Sequence, residues 1–292
     1  MSKNTFKTFV LLAGLGGFAV AIGGLLGGGS GATIGFVIGL AIVGASYWFS
    51  DKIALRAAGA QVVEEHQAPE LYAIVRNLSE RAGMRMPTVA LSPAMQPNAF
   101  ATGRNERKAV VCATQGLVQL LPRDELEGVL AHELMHVRNR DILIGSVAAA
   151  IATGISYVAQ MAMFSAMFGG RDDEDSNPLA AMAVAILAPI AAALIQMAIS
   201  RSREYEADRK AAQLLGTGEP LARALERIEA YAHRTPMAVN PAQASMWIHN
   251  PLADAPRSRA HAARQQQMTK LFSTHPPTED RIRRLRAREW AL

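Results

Sequence analysis

The sequence predicts a mainly α integral membrane protein, with four transmembrane helices and a cytoplasmic α+β domain that holds a small β-sheet. Three observations carry this: four long apolar runs, a charge asymmetry in the segments between them, and a histidine–glutamate motif on a helix outside them. Of 292 residues, 50% are hydrophobic and only 19% charged, and the mean hydropathy is +0.10. The apolar residues collect in runs instead of spreading over one large soluble core. A net charge of +5 with a pI near 9.6 follows from basic residues beside the apolar runs. No nucleic-acid motif accompanies them, so nucleic acid is not expected as a partner. Cys112 is the single cysteine, which excludes an internal disulfide and a cysteine-based metal site.

Residues 8–28 (TFVLLAGLGGFAVAIGGLLGG) and 32–49 (ATIGFVIGLAIVGASYWF) carry no charge. Each is close to the roughly 20 residues that a bilayer core requires. Gly24 with Gly28, and Gly35 with Gly39, have the GxxxG spacing that permits close helix contact. Gly29, Ser30 and Gly31 make a tight hairpin between the two, and Tyr47 and Trp48 fall where an interfacial aromatic belt belongs. A cleaved signal peptide is the competing reading of the first run. Its length and the second run close behind it favour a retained anchor.

The third and fourth runs are residues 142–168 and 178–200, separated by GGRDDEDSN with one Arg against four acids. All other flanks are basic: Lys3 and Lys7, Lys52 and Arg56, Arg138 and Arg140, Arg201 and Arg203. The positive-inside rule therefore puts both termini and both polar blocks in the cytoplasm, and the two hairpin loops outside. Alanine richness leaves a second reading of these two runs, as helices buried in a soluble core. The division is thus 1–50 (membrane hairpin), 51–141 (first part of the polar domain), 142–200 (second membrane hairpin) and 201–292 (second part).

In the first polar block, APELYAIVRNLSERAG has Leu71, Ile74, Val75 and Leu78 on one helical face. Short β-like runs follow at 88–92, 98–102 and 108–114, separated by Pro93, Pro97 and the GRNER segment as turns. Pro122 fits a first helical position, and Leu126, Val129, Leu130, Leu134 and Val137 mark an apolar face. GVLAHELMHVRNRD, residues 128–141, lies on that helix and contains HExxH. His132 and His136 are one turn apart and both can reach one Zn²⁺. Glu133, rotated by about 100°, can act on a metal-bound water without being a ligand. Chance produces this pattern in a chain of this length on the order of once in a hundred, so a third ligand is needed.

SRSREYEADRKAAQLLG, residues 200–216, offers Glu204 or Glu206. Glu204 and Asp208 are four apart and share a helix face, whereas Glu206 points elsewhere. A ligating carboxylate followed one turn later by an acid that orients a ligating His is a useful pair, which favours Glu204 as ligand and Asp208 behind it. Without HExxH, these acids would read as a solvated helix start.

AHELMH, a helical hairpin and then REYEAD resemble the HtpX-type membrane zinc metalloproteases, relatives of the CAAX prenyl proteases. The resemblance extends over PNAFATG (97–103) and FSTHPPTEDRIRRL (272–285) and so touches nearly the whole chain. It implies a zincin-like domain of gluzincin type, with one zinc per subunit on His132, His136 and Glu204. It also implies a multi-pass protein of the bacterial inner membrane with its active site in the cytoplasm. The family's NAF strand borders the cleft, so Asn98, Ala99 and Phe100 would hold substrate backbone, as a peptide adding to a strand edge does. The family's THP segment and later Arg fall on His275 and Arg281, which would donate to the oxyanion of a tetrahedral intermediate. Asn98 as a turn residue, His275 as a surface His and Arg281 as part of a basic face are the plain alternatives. His66, His233, His249 and His261 lack metal-like spacing, and RIRRLRAREW reads as a solvated helix face or a lipid contact.

The chemistry implied is hydrolysis of an internal peptide bond. Zinc would acidify a bound water toward a pKa of about 7, and Glu133 would take its proton and pass it to the leaving amine. The resemblance implies protein substrates, namely damaged or misassembled membrane proteins removed under stress. A prenyl-protein protease would need more spans than four, and a catalytically idle scaffold would not need every catalytic residue that is present.

Overall fold

The computed structural model describes residues 48–139, 201–234 and 276–291, together with 20, 24, 28–34, 36–39, 41, 44 and 45. The described residues from 28 to 48 are helical, and Ile34, Phe36, Val37 and Ile38 stand exposed. The expected spans 142–168 and 178–200 lie outside the described residues, as does most of 8–28. Among the described residues no helix is long and apolar enough to cross a membrane.

From Ser50 the chain forms α1 (Ser50–Ala57), β1 (Gln61–Val62), α2 (Pro69–Arg81), β2 (Thr88–Ser92), β3 (Ala99–Thr102) and β4 (Val110–Thr114). The helices α3 (Gln115–Leu120), α4 (Arg123–Asn139), α5 (Arg201–Leu215), α6 (Glu219–Arg234) and α7 (Thr278–Arg286) follow. The first strand run of the sequence reading is seen as expected, and the other two are trimmed. Asn105 accepts from the Lys108 N–H and closes a 3-10 turn over Glu106–Lys108, which delays β4 to Val110. Helix α1 was not anticipated, because the apolar run before it dominates the local pattern.

The sheet order is β1-β2-β4-β3, with β2 and β4 parallel and the two outer pairs antiparallel. Strand β4 is buried throughout, as a central strand covered on both faces should be. Alternation sorts its neighbours cleanly. Val89, Ala99, Val111 and Ala113 face the main core with Ile74, Val75 and Leu78 of α2. Ala90, Phe100, Val110 and Cys112 face the other way, against Ala54 and Leu55 of α1. The apolar face predicted for α2 is the face it buries.

Helix α4 is buried on nearly every side, from Leu126 through Val137. That is the condition for a helix in the middle of a core rather than on its surface. Sheet and α2 cover one side, and α5 and α6 cover the other. Gly128 permits the second contact: a Cβ there would stand 2.7 Å from the Leu221 backbone nitrogen. The core therefore joins residues from before and after the 142–200 segment.

Candidate metal centre and catalytic site

The burial of α4 takes the HExxH residues out of water. His132 and Glu133 are buried and His136 half-buried. Helix α5 packs across α4 and presents the Glu204, Ala207, Asp208, Ala211 face inward. Glu206 lies on the half-exposed flank, where Arg209 donates to it at 3.0 and 2.9 Å and Lys210 stands 3.3 Å away. The Arg209 bonds hold the Glu206 carboxyl below its ordinary pKa. The helical argument that separated Glu204 from Glu206 is reproduced in the packing.

Three donor groups converge. His132 Nε2 and His136 Nε2 are 3.1 Å apart; Glu204 Oε2 is 3.4 Å from the first and Glu204 Oε1 3.4 Å from the second. Four tetrahedral ligands at about 2.0–2.1 Å from an ion stand about 3.3–3.4 Å from one another. Each of these contacts is near that size, the two to Glu204 through different carboxylate oxygens, and two imidazole nitrogens with one carboxylate is a donor set suited to a divalent metal of the zinc kind. Among the described residues, His132, His136 and Glu204 form the group of side chains that could hold a metal ion.

Behind the triangle, His132 Nδ1 donates to Asp208 Oδ1 at 2.9 Å. That bond fixes the tautomer and leaves Nε2 to face the other donors. Arg281 of α7 donates to the same carboxylate through Nε (2.8 Å, to Oδ2) and Nη2 (2.7 Å, to Oδ1). Burial alone would raise the pKa of Asp208, but Arg281 and then His132 outweigh it and hold the group down at about 2. Burial likewise opposes charge on His132, yet its bonds to Asp208 and Glu204 shift it upward.

Glu133 is buried near the sheet, close enough to the Ala101 backbone N–H for that group to favour its ionised form. Burial is the main cause of its raised pKa, partly opposed by His132 and His136. The strand register explains the Ala101 contact. The Thr114 N–H donates to the Asn98 carbonyl at 2.9 Å, so Asn98, Phe100 and Thr102 turn their main-chain groups toward β4. Ala99 and Ala101 turn theirs to the outer edge, and that edge faces α4.

The site residues read from sequence thus fall into distinct places. His132, Glu133, His136, Glu204 and Asp208 come together. Asn98 immediately precedes β3, with its N–H on Thr114 Oγ1 at 2.9 Å. Ala99 and Phe100 bury their side chains on opposite faces of the sheet. His275 lies outside the described residues. Arg281, read from sequence as an oxyanion donor, is buried behind His132 and has two donors on Asp208. Sequence reasoning missed Ala101, because a main-chain donor carries no residue signature, and it missed the Arg281–Asp208 fork, which joins two distant helices.

The chain belongs to Peptidase family M48, whose sequence profile matches residues 65–289. It is 48% identical over 286 residues to "Protease HtpX homolog" of Gemmatimonas aurantiaca, covering 97% of this chain and 99% of that one. The protein of the same description from Polynucleobacter necessarius is 50% identical over 287 residues, covering 97% and 95%. The HtpX-type resemblance read from the motifs therefore holds along nearly the whole chain. Among solved structures, the Ste24p of S. mikatae aligns with a TM-score of 0.45 and 20% identity, over 87% of this chain and 64% of its own.

Proposed function

We propose that the protein is a zinc-dependent endopeptidase of gluzincin type, anchored by four spans in the bacterial inner membrane. It works at the cytoplasmic face on misfolded or damaged membrane proteins, as part of quality control under stress. The carrying observation is the triangle of His132, His136 and Glu204 at zinc-like separations with buried Glu133 beside it. Basic flanks around uncharged runs support the membrane setting.

His132, His136 and Glu204 would hold the zinc, which supplies Lewis acidity to a scissile carbonyl and acidifies water. Glu133 accepts the proton of the attacking water at its carboxylate and returns it to the leaving nitrogen. Its raised pKa suits a group that must take and give the same proton. Ala101 holds that carboxylate against the edge of β3. Substrate main chain pairs with the same edge through Ala99, with Asn98 at its start; Phe100 shapes the strand from beneath α1. His275 supplies the donor to the oxyanion.

The test uses the full chain purified in detergent, with zinc content and cleavage of an unfolded protein measured together. Glu133→Gln should keep its zinc and lose activity by about 10²–10⁴-fold. His136→Ala combined with Glu204→Ala should lose the zinc as well. Equal activity in Glu133→Gln, or undiminished zinc in the double variant, would overturn the assignment.

A further inference from the structure

Among the described residues, Arg281 is the largest of the fully buried side chains, at 1% exposure, although it carries a permanent charge. It comes from α7, which packs on α5 and α6. Its Nε and Nη2 grip both oxygens of Asp208 in a planar fork, at 2.8 and 2.7 Å. Nη1 stands 3.9 Å from Glu204 Oε2, and Nη2 lies 3.5 Å from both ring nitrogens of His132. Nδ1 of that ring already donates to Asp208 Oδ1. The guanidinium therefore rests against the imidazole as a neighbouring positive charge, and does not share its proton.

Three consequences follow from these distances. The fork fixes the plane of the Asp208 carboxylate, since a guanidinium and a carboxylate paired by two bonds lie in register. That plane sets where Oδ1 stands, and so which way His132 turns. The positive charge also balances the two buried carboxylates, Asp208 and Glu204, before any cation arrives.

We propose that Arg281 is a positioning residue of the metal centre: from the C-terminal helix it clamps Asp208, and through Asp208 it presents His132 Nε2 toward His136 and Glu204. It does not act as the oxyanion donor. This rests on the metalloprotease reading above and deepens it, by making α7 a structural part of the metal site.

The test uses full-length protein in detergent, stripped of metal and reloaded. Zinc affinity is measured by chelator competition, and the Co²⁺ form is followed by its visible absorption. Arg281→Gln and Asp208→Asn should each weaken zinc by about 10–100-fold and shift the Co²⁺ bands, and the double variant should be no weaker than the worse single. Arg281→Lys keeps the charge and guards against a variant that does not fold; lacking the fork, it should still weaken zinc and shift the bands. Thermal melting of each metal-free variant separates plain destabilisation, which lowers Tm while leaving the affinity of the folded protein unmoved. Unchanged zinc affinity and Co²⁺ spectrum in Arg281→Lys and Arg281→Gln, with kcat reduced at saturating zinc, would overturn the proposal in favour of an oxyanion donor. Wild-type protein that takes up no zinc would overturn the metal-site reading itself, and this proposal with it.

Discussion

Gly116 has no room for a methyl group: a Cβ there would stand 1.8 Å from the Met95 carbonyl oxygen. The Gly116 N–H also donates to Ala94 at 3.1 Å, so the loop before β3 is drawn tightly over the start of α3. Gly116→Ala should cost about 1–3 kcal/mol, seen as a lower Tm, with reduced activity because the loop leads to Asn98. Cys112 makes a different prediction. Burial pushes its thiol up to about 12 from an ordinary 9.0. The folded pKa lies above the unfolded one, so the unfolded chain releases this proton first as pH rises. Stability should therefore be unaffected by Cys112 below pH 9 and fall between about 9 and 12. Cys112→Ala should remove that alkaline slope in denaturation curves, and an equal slope in both proteins would contradict it. The residue scale was partly legible in advance. HExxH and ExxxD have helical spacings that place candidate ligands on a face, whereas the close approach of Met95 to Gly116 and the direction of Arg281 depend on which elements meet.

Strand β3 is the element on which the site depends. It follows β2 in the chain yet sits at the outer edge, beyond β4, and among the described residues no further strand pairs with it. Ala101→Pro removes the N–H that reaches Glu133 and leaves the ladder to β4 intact, because Ala101 points away from that ladder. Its kcat should fall by about tenfold with zinc content unchanged, on the general-base magnitudes above. Phe100→Pro, which deletes a ladder donor, should instead impair folding; the reverse ranking would disprove the register argument. Helices α2 and α4 were readable because their apolar periodicity is long and unbroken. Strand order was not, since two-residue and four-residue strands carry too little pattern to fix their partners.

At the scale of the molecule, α4 and α5 supply the candidate metal site from opposite ends of the 142–200 segment, and α7 closes it from behind. Buried Cys112 makes the proposed topology easy to examine, since it is the single thiol and stays protonated. Ser30→Cys and Ser176→Cys, one in each hairpin loop, should react with a membrane-impermeant maleimide in intact cells. His66→Cys, on an exposed turn, should react only after permeabilisation, and any other pattern would refute the orientation. The family and the candidate metal group were legible in the motifs. The assembly of separate segments on one central helix was not, because it is decided by close approaches such as Gly128 on Leu221. The outer edge of β3 has one further consequence. A chain that docks there must offer several consecutive amides and carbonyls not already engaged elsewhere. A natively folded protein has those groups tied up in its own helices and sheets, and an unravelled one presents them. Under the proposed function, selection of damaged clients would need no side-chain code: discrimination would be by conformation, and a correctly folded neighbour would be spared because it cannot become a strand.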